Sequence, residues 1–248
     1  MISYDFSDQT VIVTGGTSGI GKGIVKAFLE ANASVIATYA NNDARAIQMK
    51  EELNQFSSKL DLQKFDVSSS TEVSAFYKYV EENYSSVEVL VNNSGIRQDA
   101  MLAMMEDANW DRVLDVNLKG TYLMSKSAVI KFLNNRYGRI INISSVGADL
   151  GIAGQTNYSA SKAGQMAFSK SLSKEVAKKG ITVNNICPGF VDTELLSDLP
   201  PEQLKEYKKM VPMKRIGKTE DVAIATLFLA SKQASYITGT SIYVTGGL

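Results

Sequence analysis

Hydrophobic positions along this chain alternate between two rhythms: short continuous apolar runs, and longer stretches in which apolar residues recur every third or fourth place. The first run, Val11-Ile12-Val13, is β-branched and reads as a strand buried on both faces. It empties into Thr14-Gly15-Gly16-Thr17-Ser18-Gly19-Ile20-Gly21, after which Ile24, Val25, Phe28 and Leu29 keep helical spacing and residues 34–39 return to a strand. A helix over 43–56 follows, with Ala46, Ile47, Lys50 and Leu53 on one side, and then a strand over 59–65. Ser69-Ser70-Thr71-Glu72 predicts a capping box opening a helix whose buried stripe is Val73, Phe76, Tyr77 and Val80. Residues 87–91, 138–144, 181–186 and 241–244 complete the strands, long helices fill 106–135 and 158–179, and Thr219 caps a last helix ending at Ala230. Gly180 sits where a left-handed residue ends a helix, and Pro188-Gly189 breaks the sixth strand. The stretch 190–215 is the least regular, with Pro200-Pro201 opening a short amphipathic helix.

Regular strand–helix alternation predicts an α/β fold: a doubly wound, mostly parallel seven-stranded sheet of Rossmann type with helices on both faces. No composition shift, repeat or linker divides residues 1–248, so the chain reads as a single domain. In such sheets a ligand lies outside the carboxyl ends of the strands, near the reversal of strand order. Those ends are residues 14–21, 39–42, Asp66-Val67, 92–95, Ser144-Ser145 and Pro188-Gly189, each small or polar. The first has the spacing G-x-x-x-G-x-G, in Gly15, Gly19 and Gly21. Without a Cβ the backbone turns tightly and presents amide N–H groups at the positive end of a helix, which suits the diphosphate of a dinucleotide. A glycine-rich turn without a ligand is the plainer reading of this stretch taken alone.

Composition narrows the chemistry. Of 248 residues, 44% are hydrophobic and 21% charged, with 26 Lys plus Arg against 26 Asp plus Glu, so no global field favours nucleic acid or an anionic membrane. The single cysteine, Cys187, rules out an internal disulfide framework and fits a reducing, cytoplasmic setting; no leader pattern or membrane-spanning run is read. Histidine is absent, which removes Ser-His-Asp hydrolysis and histidine metal sites. Proton transfer must then use tyrosine, lysine, serine or a carboxylate.

Tyr158-Ser159-Ala160-Ser161-Lys162 places a phenol and an ammonium four residues apart on one helix face. A cation held near a phenol favours the phenolate and makes the group a usable proton donor near neutral pH. On spacing alone a solvated face is the commoner reading of such a pair. Ser145, thirteen residues earlier at a strand end, could hydrogen-bond a carbonyl oxygen that gains negative charge.

The glycine turn, Asn92-Asn93-Ser94-Gly95, Asn117, Ser145, Tyr158-x-x-x-Lys162 and Pro188-Gly189, in this order, resemble the short-chain dehydrogenase/reductase family over essentially the whole chain. That resemblance implies that Tyr158 is the general acid of carbonyl reduction, and that Lys162 lowers its pKa and binds the nicotinamide ribose. It also implies that Ser145 stabilises the substrate oxygen, and that Asn117 holds a water in a proton relay. Asn117 read by itself is also a plain buried amide, and Ser144 a structural neighbour. The implied cofactor contacts are Gly15, Thr17, Ser18, Gly19, Ile20, Gly21, Thr38, Asp66, Val67, Asn92, Gly95, Pro188, Gly189 and Val191, besides Tyr158 and Lys162. The second strand ends without an acid before Asp43, so a 2′-phosphate is tolerated and NADP(H) is favoured, with Lys22, Arg45, Asn41 and Asn42 as polar help.

Residues 134–145, Gly180-Ile181-Thr182-Val183-Asn184 and 234–239 look like the 3-oxoacyl-[acyl-carrier-protein] reductases of fatty acid synthesis. That likeness implies acyl carrier protein as partner, met by Arg136 and Lys179, a variable substrate loop at about 189–215, and a homotetramer. Ordinary solvated helix-end cations are the other reading of Arg136 and Lys179. Ser94, where that family usually has alanine, and Thr245 before Gly246-Gly247 depart from its pattern. Another ketone, sugar or polyketide reductase, or a nonenzymatic NADP-binding regulator, remain the alternatives.

Overall fold

The computed structural model describes residues 4–194 and 201–248; residues 195–200 of the irregular stretch, Pro200 among them, lie outside the described residues. Seven strands are seen: β1 (Thr10–Val13), β2 (Ser34–Tyr39), β3 (Leu60–Lys64), β4 (Val89–Asn92), β5 (Gly138–Ile143), β6 (Ile181–Pro188) and β7 (Ser241–Val244). They form one sheet in the order β3-β2-β1-β4-β5-β6-β7, and every neighbouring pair is parallel. Chain order reverses between β1 and β4, so a crevice opens at their carboxyl ends.

The α-helices bounded within the described residues are α1 (Gly19–Glu30), α2 (Asp43–Glu52), α3 (Ser70–Asn83), α4 (Asp107–Leu114), α5 (Gly120–Asn135), α6 (Gly147–Leu150), α7 (Thr156–Val176), α8 (Pro201–Met210) and α9 (Thr219–Ala230). Alternate residues of β1 divide the core, because side chains on a strand point to opposite faces. Val11 and Val13 pack with Ile24, Val25 and Phe28 of α1 and Val222 and Leu229 of α9. Ile12 packs with Phe76 of α3, Met124 and Phe132 of α5 and Val176 of α7. No described helix is long and apolar enough to cross a membrane.

Several local expectations need correction. The helix expected over 43–56 closes at Glu52 and continues as a 3₁₀ turn over Asn54–Phe56; Ala46 and Leu53 of the expected stripe are buried, joined by Met49, while Ile47 is 61% exposed and Lys50 is exposed. The capping box at Ser69 is half made: Ser69 Oγ accepts from the Glu72 N–H, but the Glu72 carboxylate accepts from the Asp66 N–H instead. Thr219 is the first residue of α9 rather than its cap; the Asp221 carboxylate accepts from the N–H of Lys218. Residues 106–135 are not one regular helix, since Asp115–Lys119 joins α4 to α5 as a π-helical turn. Asn117 lies in that turn, and π-turns recur where a helix must re-aim a side chain.

Candidate active site

The turn between β1 and α1 is built on glycines that nothing larger could replace. Gly15 and Gly19 have φ of +60° and +49°, and a Cβ on Gly21 would sit 2.1 Å from the Gly15 carbonyl oxygen. Ser18 is the N-cap of α1, in extended conformation and without a side-chain cap bond; Thr17 is buried and Ile20 packs against the core. A loop that brings backbone this close to a helix N-terminus fits a dinucleotide diphosphate. Thr193 bounds the same space, its Cγ2 3.3 Å from where a Gly19 Cβ would lie, and the Glu194 carboxylate approaches the same point. Thr193 was not foreseen, because the irregular 190–215 stretch offers no periodicity to interpret.

Asn93 is a second residue the motif reading passed over. Its Nδ2 donates to the carbonyls of Thr14 (3.0 Å) and Gly15 (2.9 Å), while Thr14 Oγ1 accepts from the N–H groups of Asn93 and Ser94. The end of β4 therefore fixes the shape of the glycine turn. Asn92, beside it, is buried: Nδ2 donates to Ser125 Oγ and Asn142 Oδ1, and Oδ1 has no hydrogen-bond partner. With Thr14, Val67, Ser94 and Val116 it lines a small cavity.

Tyr158 and Lys162 share the N-terminal part of α7, and Ser145 follows β5. The Ser145 hydroxyl stands near enough to the Tyr158 phenol to pull its pKa down, and it accepts from the Gly147 N–H at 3.0 Å. Burial raises the Tyr158 pKa, against the smaller pull of Ser145 and of Arg97. Lys162 Nζ donates to the Ile143 carbonyl at 2.7 Å and lies 5.6 Å from the Tyr158 ring centroid; burial pushes this ammonium down to about 8. Ser144 is the structural neighbour expected of it, buried and donating to the Lys162 carbonyl.

Asn117 is fully buried, its Oδ1 accepting from the Ile96 N–H and its Nδ2 donating to the Ile96 carbonyl and Ser161 Oγ. A Cβ on Gly95 would stand 3.4 Å from both Asn117 Oδ1 and Lys162 Nζ, so the end of β4, the π-turn and α7 converge here.

The remaining expected residues ring the same edge. Thr38 is 1% exposed, its Oγ1 has no partner, and its carbonyl accepts from the Gly16 N–H. Burial pushes Asp66 up, but hydrogen bonds from Ser68 and Arg112 outweigh it and hold the carboxyl below its ordinary value. Val67 is buried against Gly120. Pro188 ends β6 and accepts from the Val146 N–H, Gly189 donates to the Val244 carbonyl, and Val191 bridges to Gly217. Lys22 is tied to Glu52 at 2.5 Å, and Asp43 to Lys64 at 2.7 Å. The backbones beside Arg136 and Lys179 come together, the Arg136 carbonyl lying 2.6 Å from where a Cβ on Gly180 would stand. They lie before β5 and β6, however, at the sheet edge opposite Ser145 and Tyr158.

A family profile described as enoyl-(acyl carrier protein) reductase matches residues 15–248. A 3-oxoacyl-[acyl-carrier-protein] reductase of Chlamydia muridarum is 42% identical over 241 residues, covering 97% of both chains. The enzyme of the same description from Vibrio harveyi is 39% identical over 240 residues, again covering 97% of both. Among solved structures, a provisional gluconate dehydrogenase of Agrobacterium tumefaciens superposes with a TM-score of 0.94 at 29% identity, over 99% of this chain and 98% of that one.

Proposed function

The chain belongs to the short-chain dehydrogenase/reductase family, oxidoreductases acting on CH–OH and C=O groups, and from that premise we propose that it reduces a 3-oxoacyl thioester on acyl carrier protein to the 3-hydroxyacyl form with NADPH. The observation that carries this reading is the Ser145–Tyr158 hydroxyl pair at the same strand-end edge as the glycine turn. The cofactor supplies a hydride. Gly15, Gly19 and Gly21 admit its diphosphate to the N-terminus of α1, and Thr17, Ser18 and Ile20 shape that approach. Asp66 and Val67 border the adenine; Asn92 and Gly95 line the crevice; Pro188, Gly189 and Val191 flank the nicotinamide. Ser145 holds the substrate carbonyl oxygen through a hydrogen bond that strengthens as charge develops there. Tyr158 Oη donates its proton to the same oxygen. Lys162, released from the Ile143 carbonyl, holds the nicotinamide ribose. Asn117 Oδ1 keeps one lone pair beyond its bond to Ile96, and through it holds the relay water.

Preference for NADPH rests on the acid-free end of β2 and on Asp43, the first acid after it, being neutralised by Lys64. With Lys22 engaged by Glu52, Arg45, Asn41, Asn42 and the Thr38 hydroxyl remain to meet a 2′-phosphate. A cytoplasmic homotetramer that receives acyl carrier protein at Arg136 and Lys179 completes the reading.

The likeness to a provisional gluconate dehydrogenase favours, as the second reading, oxidation or reduction of a small hydroxy acid. Initial rates with acetoacetyl thioester, run with NADPH, NADH and the Tyr158→Phe protein, decide between them. Turnover that prefers NADPH and falls by about 10²-fold or more in the variant, with NADPH affinity kept, supports the proposal. Measurable NADPH binding without turnover of the thioester overturns it and moves the search to gluconate-like substrates.

A further inference from the structure

The crevice wall between the glycine turn and the end of β4 holds a hydroxyl that the fold leaves unused. Thr14 Oγ1 accepts from the N–H groups of Asn93 and Ser94, both hydrogens of Asn93 Nδ2 go to the Thr14 and Gly15 carbonyls, and both hydrogens of Asn92 Nδ2 go to Ser125 Oγ and Asn142 Oδ1. These groups are committed to structure. Ser94 Oγ, on a half-buried residue beside them, has no hydrogen-bond partner among the described residues.

Two observations fix where that hydroxyl stands. Its oxygen lies 3.2 Å from the point a Cβ on Gly15 would occupy, with Ser94 Cα at 3.1 Å, so the side chain sits against the first glycine of the turn. Ser94 also shares the wall of the small cavity with Thr14, Val67, Asn92 and Val116. Gly15 belongs to the turn read as the diphosphate cradle, and Val67 to the residues read as bordering the adenine. In a dinucleotide the group between adenine and diphosphate is the adenosine ribose. In NADPH the 2′ oxygen of that ribose is esterified, and the 3′-hydroxyl is the one left to pair. The alanine usual at this place in the family has no polar side-chain atom, so the contact is one this chain adds.

We propose that Ser94 holds the adenosine ribose of the cofactor, its Oγ hydrogen-bonding the 3′-hydroxyl. The proposal rests on reading the glycine turn as a dinucleotide site and does not depend on which ketone is reduced. A serine in a turn is ordinarily spent on nearby backbone, as Ser69 and Ser145 are here, each accepting from an N–H two or three residues on. Ser94 differs: its N–H bonds Thr14, and its hydroxyl bonds nothing of its own turn. A hydroxyl that solvent still reaches loses little by this, and it exchanges water for a fixed partner when the sugar arrives.

The test is ligand binding by the whole protein, with no turnover involved. Calorimetric titration with NADPH, and amide-shift titration with the fragments 5′-AMP, 2′-deoxy-AMP and 3′-deoxy-AMP, compare the parent with Ser94→Ala. Losing one neutral hydrogen bond should weaken NADPH, 5′-AMP and 2′-deoxy-AMP by about 3–10-fold in the variant. For 3′-deoxy-AMP, which already lacks the partner, parent and variant should agree within roughly twofold. Their urea midpoints should match, because the lost hydroxyl has no partner in the free protein. Equal affinity of the two proteins for 5′-AMP overturns the proposal. So does an equal loss with 3′-deoxy-AMP and 5′-AMP, which would move the hydroxyl to the diphosphate. A less stable variant with unchanged affinity overturns it as well and turns the hydroxyl to Asn92 Oδ1, the unpartnered acceptor on the same cavity wall. A parent that binds neither NADPH nor 5′-AMP removes the dinucleotide reading and the proposal with it, whereas failure to reduce acetoacetyl thioester removes the 3-oxoacyl reading alone.

Discussion

Lys162 shows how the candidate site trades stability for readiness. A buried ammonium is disfavoured, and its pKa is pushed down to about 8 in the fold against an ordinary value near ~10.4 in the unfolded chain. Between those values the unfolded chain binds more protons than the folded one, so stability rises with pH across the window and the full cost is borne below it. A gap of more than two units corresponds to about 3 kcal/mol, an upper figure because the Ile143 carbonyl already accepts from Nζ. Lys162→Met, near in volume and uncharged, should therefore stabilise the cofactor-free protein at pH 7 by about 1–3 kcal/mol, an advantage that shrinks toward pH 10. Urea unfolding at the two pH values checks it, and a less stable variant at pH 7 would mean that the bond to Ile143 outweighs desolvation. Tyr158 moves the other way: burial raises its pKa, so the phenol keeps its proton at neutral pH, as a donor must. The i,i+4 spacing made the proximity of these two residues legible in the sequence. The ammonium's actual partner is a main-chain carbonyl of β5, nineteen positions away, and no local pattern encodes a carbonyl.

At the scale of elements, the β1–turn–α1 unit and the end of β4 act as one piece. Asn93 fills the carbonyls of Thr14 and Gly15 while Thr14 returns bonds to the N–H groups of Asn93 and Ser94, so the turn is held from both sides. Asn93→Ala strands two carbonyls in a tight turn and should cost about 1–3 kcal/mol in urea unfolding. It should also weaken NADPH binding, read by quenching of protein fluorescence; unchanged affinity would mean that the turn holds its shape alone. Gly21→Ala is harsher. Its methyl would meet the Gly15 carbonyl at 2.1 Å, so turn or helix must move, and we expect a loss of about 3 kcal/mol or more together with loss of NADPH binding. Elements were legible where one signal dominates: β1 and β4 are short, largely apolar, buried runs, and α1 keeps a clean stripe. They were less so where hydrogen bonds decide. The π-turn at Asp115–Lys119 has no hydrophobic rhythm of its own, Asp221 rather than Thr219 closes the entrance of α9, and in the short α2 Met49 takes the buried place that Ile47 was expected to fill beside Ala46.

For the whole molecule, the parallel sheet puts the cations proposed to meet a carrier protein and the hydroxyls proposed to do the chemistry at opposite ends of its strands. Arg136 and Lys179 lie before β5 and β6, whereas Ser145 follows β5, and a strand of 6 residues spans roughly 20 Å. If a carrier protein docks on these cations, its tethered substrate is far from the Tyr158 of the same chain. A second copy can close that distance, and α5, which ends at Arg136, leaves Tyr122, Ile130 and Leu133 exposed, an apolar face on which such a copy could pack. Reversing both charges, Arg136→Glu with Lys179→Glu, should raise KM for a carrier-linked 3-oxoacyl substrate by about tenfold or more while leaving KM for the small acetoacetyl thioester near the parent value. A second step separates docking within a chain from docking across chains. Tyr158→Phe chains keep the cations and lack the proton donor, and the charge-reversed chains keep the donor and lack the cations. Co-assembled, the two should recover part of the carrier-linked activity that neither shows alone, since an intact docking edge on one subunit would then serve an intact hydroxyl pair on its neighbour. No recovery in verified mixed assemblies would place docking and chemistry on the same chain, or the docking edge elsewhere than Arg136 and Lys179.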